Sequence, residues 1–170
     1  MDPEAKKRLR KPLIIVVVML IVAGIAAVPA WHAFKQLESR QALAKARNYL
    51  VAGDSEAAMA EARKAYLNTP EDLDVLRLIA EVYQGISAEH AAKFWKQAFA
   101  ISGENSDLIN ATRTSISSGN IEAGETYLKQ MEERGLIGSD YHLFRGQIAF
   151  ARQDYQGALL AARRAIMAER

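Results

Sequence analysis

A repeat constrains this chain more than any other feature of its sequence. Small residues recur at Ala58, Ala91, Gly124 and Ala158, spaced by 33, 33 and 34 residues. A second set, Ala46, Ala80, Thr112 and Gly146, precedes them, and a third, Ala65, Ala98, Met131 and Ala165, follows seven residues after. Turn signals fall between the first and second sets, at Gly53-Asp54, Gly85-Ile86-Ser87, Gly119-Asn120 and Gln153-Asp154. A period of this length means stacked units, none of which can bury its apolar face alone. The clearest copy runs from Tyr141 to Ile166 and reads as two amphipathic helices joined by a tight turn. Its small residues stand where two backbones must approach closely.

The pattern resembles the tetratricopeptide repeat (TPR) family, whose 34-residue helix–turn–helix units carry small residues at positions 8, 20 and 27. That family also places an aromatic residue at position 11, matched by Tyr49 and Tyr83, and a proline at position 32, matched by Pro70. The resemblance covers residues 39–170 as four repeats, at about 39–70, 72–104, 105–138 and 139–170. Repeat 3 departs most, with Thr112 and Ser115 in place of a small and an aromatic residue. The fold expected is all-α: a transmembrane helix followed by a TPR-like α-solenoid over 35–170.

Ahead of the repeats lies Leu13 to Phe34, 22 residues without a charge. At 1.5 Å rise it spans roughly 30 Å, enough to cross a bilayer core. A core helix in so small a protein is rarely apolar on every face. Trp31, His32 and Phe34 fall where an interfacial aromatic belt sits. Pro29 removes the hydrogen bond to the Ile25 carbonyl and is expected to kink the helix. The competing reading is a cleaved signal peptide, with Val28-Pro29-Ala30 as its cleavage site; the run is longer than the usual signal core. Residues 1–12 carry Lys6, Lys7, Arg8, Arg10 and Lys11 against Asp2 and Glu4, a net +3, which leaves −1 for the rest of a chain whose total is +2. The basic cluster predicts a cytoplasmic tail, a single pass through the inner membrane, and repeats on the extracytoplasmic side. Because the basicity belongs to the tail, no nucleic-acid-binding face is implied for the repeats.

No Pro- or Gly-rich linker separates the span from the repeats, so the anchor is expected to run into the first repeat helix. Gly53 ends that helix, and Asp54 or Ser55 caps the next. Thr69-Pro70-Glu71-Asp72 reads as a helix start with Thr69 as cap, Pro70 at the first helical position and the two acids in the first turn. Ser87, Asn120 and Asp154 begin further helices, and Gly135 and Gly138 flank the loop before repeat 4.

The sequence shows no catalytic constellation. Cysteine is absent, which removes disulfides, thiolate zinc sites and cysteine nucleophiles. His32, His90 and His142 lack metal-ligand spacing, and Gly135-Leu-Ile-Gly138 lacks the lysine of a phosphate loop. Trp95 and Tyr127 read as core on second helices. No cofactor, no metal and no enzymatic activity are expected. What remains is surface. In the family it resembles, the first helices line a groove that binds peptides or helices. The matching positions here are Arg40, Arg47 and Leu50, then Arg77 and Glu81, then Ile109, Arg113 and Ile116, then Gln147 and Phe150. Arg47, Arg77 and Arg113 would form a ladder of exposed guanidinium groups suited to carboxylates.

The function expected is a membrane-anchored scaffold that binds other proteins or peptides. Two alternatives stand beside it: an accessory subunit of a secretion translocon or envelope-assembly machine, and the N-terminal part of a longer protein with a catalytic domain beyond Arg170. The last helix, Tyr155 to Glu169, has apolar residues on more than one side, including Leu159, Leu160 and Met167. That surface is expected to dock a further repeat, a partner or a second copy of the chain.

Overall fold

A computed structural model of the chain describes Met19 and residues 29–169. Among these residues every regular element is a helix. Helix α1 covers 29–51. Then follow α2 (Ser55–Asn68), α3 (Leu73–Gln84), α4 (Ala88–Ser102), α5 (Asn105–Ser117), α6 (Ile121–Glu133), α7 (Ser139–Ala151) and α8 (Tyr155–Ala168). The expected tail, and all of the expected span except Met19 and residues 29–34, lie outside the described residues, as does the carbonyl that Pro29 would free. Among the described residues, no helix is long and apolar enough to cross a membrane.

The helices pair as four hairpins, α1/α2, α3/α4, α5/α6 and α7/α8, and each hairpin packs on the next. The turns are those that the sequence marks. Gly53, Gly103, Gly119 and Gly135 take φ between +63° and +81°, the left-handed region that a helix stop requires. Asp54, Ser87, Asn120 and Asp154 each cap the helix that follows by accepting from the backbone N–H three residues on.

One helix start differs from expectation. Asp72, not Thr69, caps α3, because its carboxylate accepts from both Asp74 N and Val75 N at 3.0 and 3.3 Å. Thr69 instead closes α2. Its hydroxyl bonds to the Ala65 carbonyl at 3.3 Å and meets the Ser39 hydroxyl at 2.5 Å, which ties the end of α2 to α1.

The small residues do what their spacing implies. Ala46, Ala58, Ala65, Ala80, Ala91 and Ala98 are fully buried and make the seams of the first two hairpins. Large side chains close over them: Leu76, Ile79, Phe94 and Trp95 fill the core between repeats 1 and 2. Burying each such side chain contributes about 1.5–3 kcal/mol. Tyr83 stacks on Phe94 at 5.6 Å and on His90 at 5.0 Å, and Tyr66 meets Phe94 edge-on at 5.3 Å.

Repeat 3 keeps the hairpin by a different packing. Thr112 satisfies its buried hydroxyl on the Leu108 carbonyl at 2.7 Å and touches the Met131 sulfur at 3.5 Å. Gly124 has no side chain because Ile116 occupies the space: a Cβ there would meet Ile116 Cγ1 at 2.7 Å. In repeat 4, Gly146 lies against the α8 backbone, where a Cβ would come 3.4 Å from the Ala158 carbonyl and 3.4 Å from Ala161 Cβ. Ala158 itself is only half-buried, while Ala161 and Ala165 form the buried seam.

Candidate protein-binding face

The first helices of successive repeats lie side by side, which brings the groove positions onto neighbouring elements. Ala42 of α1 packs with Val75 of α3, Arg77 of α3 reaches Asp107 of α5, and α5 touches α7. Between α1 and α3 lies a cleft of about 530 Å³ lined by Arg40, Leu43 and Arg47 on one side and Asp72, Asp74 and Val75 on the other.

The three arginines expected to form a ladder differ in state. Arg47 is exposed beside this cleft. Arg77 is not a free guanidinium. Its Nε donates to Asp107 Oδ1 at 2.9 Å, and its Nη2 donates to Asp107 Oδ2 at 2.8 Å and to Glu104 Oε2 at 2.6 Å. The hydrogen bond with Asp107 is the chief reason its pKa rises well above the ordinary arginine value. Arg113 donates to Asp140 Oδ1 at 3.2 Å and lies over the Phe144 ring at 5.8 Å, with about half its side chain exposed. The expectation of three exposed arginines therefore fails at Arg77, where the charge serves the junction between repeats 2 and 3.

Asp107 is 1% exposed, so its charge depends on its partners. Burial pushes its carboxyl up, and the hydrogen bonds from Arg77 and Ser102 outweigh that and hold it below the usual carboxylate range. Glu81 takes the place in repeat 2 that Arg47 and Arg113 take in repeats 1 and 3. Burial raises its pKa, against the pull of Arg47 and Arg77. The face thus alternates in sign: Arg47, Glu81, then Arg113 with Asp140.

The apolar groove positions also divide. Leu50, Ile109 and Ile116 are half-buried and pack into the core. Ile116 is fixed there by its contact with the Gly124 backbone. Arg40, Gln147 and Phe150 are exposed, and Phe150 stands edge-on to Tyr155 at 5.6 Å. The residues that sequence reasoning missed are Glu104, Asp107 and Asp140, the acidic partners at the starts of α5 and α7. Their signal was an acid 27 to 30 residues after each arginine, one repeat on.

This side-by-side array of helical hairpins has counterparts among solved structures. An O-GlcNAc transferase from Thermobaculum terrenum is similar to this chain with a TM-score of 0.51 and 24% identity, over 76% of this chain and 26% of that one. The likeness is one of fold. This chain spans about a quarter of that structure's length. No family model matches the chain, and no curated protein matches it.

Elsewhere in the array, Trp95 Nε1 and His142 Nδ1 are buried without a hydrogen-bond partner in the protein. Trp95 is core, and Tyr127 is half-buried between the two main clusters. His142 is half-buried, edge-on to Tyr141 at 5.4 Å. Among the described residues, no group of three or more His, Asp or Glu side chains is placed to hold a metal ion.

Proposed function

We propose that this chain is a TPR-like scaffold, anchored in the inner membrane by residues 13–34, that holds other proteins or peptides on the extracytoplasmic side. The observation that carries the reading is that Arg40, Arg47, Glu81, Arg113, Gln147 and Phe150 are all exposed on first helices, with Arg40 and Arg47 lining a cleft between α1 and α3. Such a face fits an extended segment or a helix whose charges alternate, with an acid opposite Arg47 and a base opposite Glu81. The uncharged run and the basic cluster before it support the anchor and its orientation. The partner is a protein or peptide, and the service of a translocon or envelope-assembly machine is one form this function takes. The outer side of α8, where Leu159, Leu160, Ile166 and Met167 are all more than half exposed, is a second contact surface, for self-association.

The test is site-specific photo-crosslinking in intact membranes. Crosslinkers at Arg47, Glu81 and Gln147 are expected to trap the same partner band. Crosslinkers at Lys64 and Lys129, exposed on the second helices α2 and α6, are expected not to. Equal trapping from both sides, or trapping from the second helices alone, would overturn the assignment of the binding face.

A further inference from the structure

The described part of α1 runs unbroken from residue 29 to 51. It contains both the end of the uncharged run, Phe34, and the first residues docked on the repeats. Only four residues lie between Phe34 and Ser39, a rise of about 7.5 Å along the helix. Ser39 is 2% exposed, with its hydroxyl on Thr69 and on the Ala65 carbonyl. Glu38 accepts from Asn68 Nδ2 at 3.4 Å. These contacts leave no free linker between the docked part of α1 and residues 31–37.

On that short stretch Trp31, Phe34 and Leu37 are all more than half exposed and recur every three residues along one side of α1. Trp31 and Phe34 stack at 6.3 Å, and the Lys35 ammonium lies 5.6 Å from the Trp31 ring. Beside them the α2–α3 connection folds down to the same level. Together they form a cleft of about 360 Å³, with His32, Lys35 and Gln36 on one wall and Asn68, Thr69, Pro70, Glu71 and Asp72 on the other. Lys35 thus stands across this space from an exposed carboxylate, Glu71, beside the Trp31 and Phe34 rings.

We propose that this cleft seats the headgroup of a zwitterionic phospholipid, so that repeat 1 rests directly on the bilayer surface. The inference rests on the anchor reading given above. The phosphate lies against Lys35 and His32, and the headgroup amine lies against Glu71. Trp31 enters the interfacial layer, where an aromatic ring with a polar edge is most stable, and Phe34 and Leu37 bury apolar surface beside it. The consequence is a fixed stance: an array joined to the last residues of its anchor by the unbroken helix over 29–51 presents its binding face at a set height and angle above the membrane.

The chain has no cysteine, so single labels can be placed without background. The full chain is reconstituted in vesicles of phosphatidylethanolamine and phosphatidylglycerol that carry a headgroup nitroxide. A fluorophore at Pro70→Cys is expected to be quenched strongly. One at Ala52→Cys, in the turn just past the end of α1 and about 27 Å from Phe34 along the helix direction, is expected to be quenched little. Adding Lys35→Glu and Glu71→Lys to Pro70→Cys is expected to cut quenching at least two-fold, as is a Gly-Gly-Ser insertion between Gln36 and Leu37. Circular dichroism checks that each variant stays helical. Protein that fails to float with vesicles would overturn the anchor, and the seating with it. Protein that floats with equal quenching at both labels would overturn the seating alone. Quenching at Pro70→Cys that neither charge reversal changes would overturn the headgroup assignment.

Discussion

Arg77 grips Asp107 across the junction of repeats 2 and 3 with two parallel hydrogen bonds, 2.9 and 2.8 Å long. The carboxylate is almost wholly buried while the guanidinium is a quarter exposed. The pair therefore behaves as a charge lock. Asp107 gave up its hydration and in its place accepts hydrogen bonds from Arg77 and from Ser102, 2.5 Å away. Arg77→Ala leaves an uncompensated buried carboxylate and is expected to destabilise the fold by about 2–4 kcal/mol. Urea denaturation of the single and double variants with Asp107→Ala is the check, with a coupling energy above about 1 kcal/mol expected.

The same pair sets an acid limit. Because the folded-state pKa of Asp107 lies below its unfolded value, its contribution is fully present above the ordinary carboxylate range. It is lost as pH falls from about 4 through the lowered value. Stability measured between pH 6 and pH 3 is expected to decline. Asp107→Asn, which cannot ionise, is expected to lower stability at pH 6 and to flatten that decline.

Gly124 and Ile116 predict a reversal of sign. In the native background, Gly124→Ala forces its Cβ within 2.7 Å of Ile116 Cγ1. The overpacking is expected to cost about 1–3 kcal/mol. With Ile116→Ala already present the clash is gone, and the same substitution is expected to stabilise α6 by about 0.5–1 kcal/mol through helix propensity. Thermal melts of the four combinations decide it.

The repeat seams are not equally tight. Ala58→Leu enters a fully buried seam and is expected to cost about 1–3 kcal/mol or more. Ala158→Leu enters a half-buried one, because the Gly146 contact there is with the Ala158 carbonyl and not its methyl. Its cost is expected to be the smaller of the two. Equal losses of melting temperature would contradict the difference in packing.

The exposed face of α8 predicts association. Sedimentation of residues 36–170 over a range of concentrations is expected to show self-association. Leu159→Glu with Met167→Glu is expected to abolish it without lowering helicity, since both side chains are more than half exposed. A monodisperse monomer at all concentrations would remove the self-association proposal.

The sequence by itself determined the hairpins. Four copies of one spacing, Ala46–Ala58–Ala65 and its successors, fix where two helices touch, and Gly53, Gly119 and the capping Asp54, Asn120 and Asp154 fix where they turn. These are local or fixed-period properties, and the period survives the larger residues of repeat 3. Tertiary structure decided how those residues fit: Thr112 and Met131 share a seam because they face each other 19 residues apart. It also decided which groove residues are free. Whether an arginine solvates a face or locks a junction depends on what the next repeat places opposite it. Arg47 and Arg77 look alike along the chain, but only Arg77 meets a buried carboxylate 30 residues on. Thr69 shows the same limit at a helix end: its hydroxyl could have capped α3, but the approach of Ser39 from α1 and the better-placed Asp72 assigned it to closing α2.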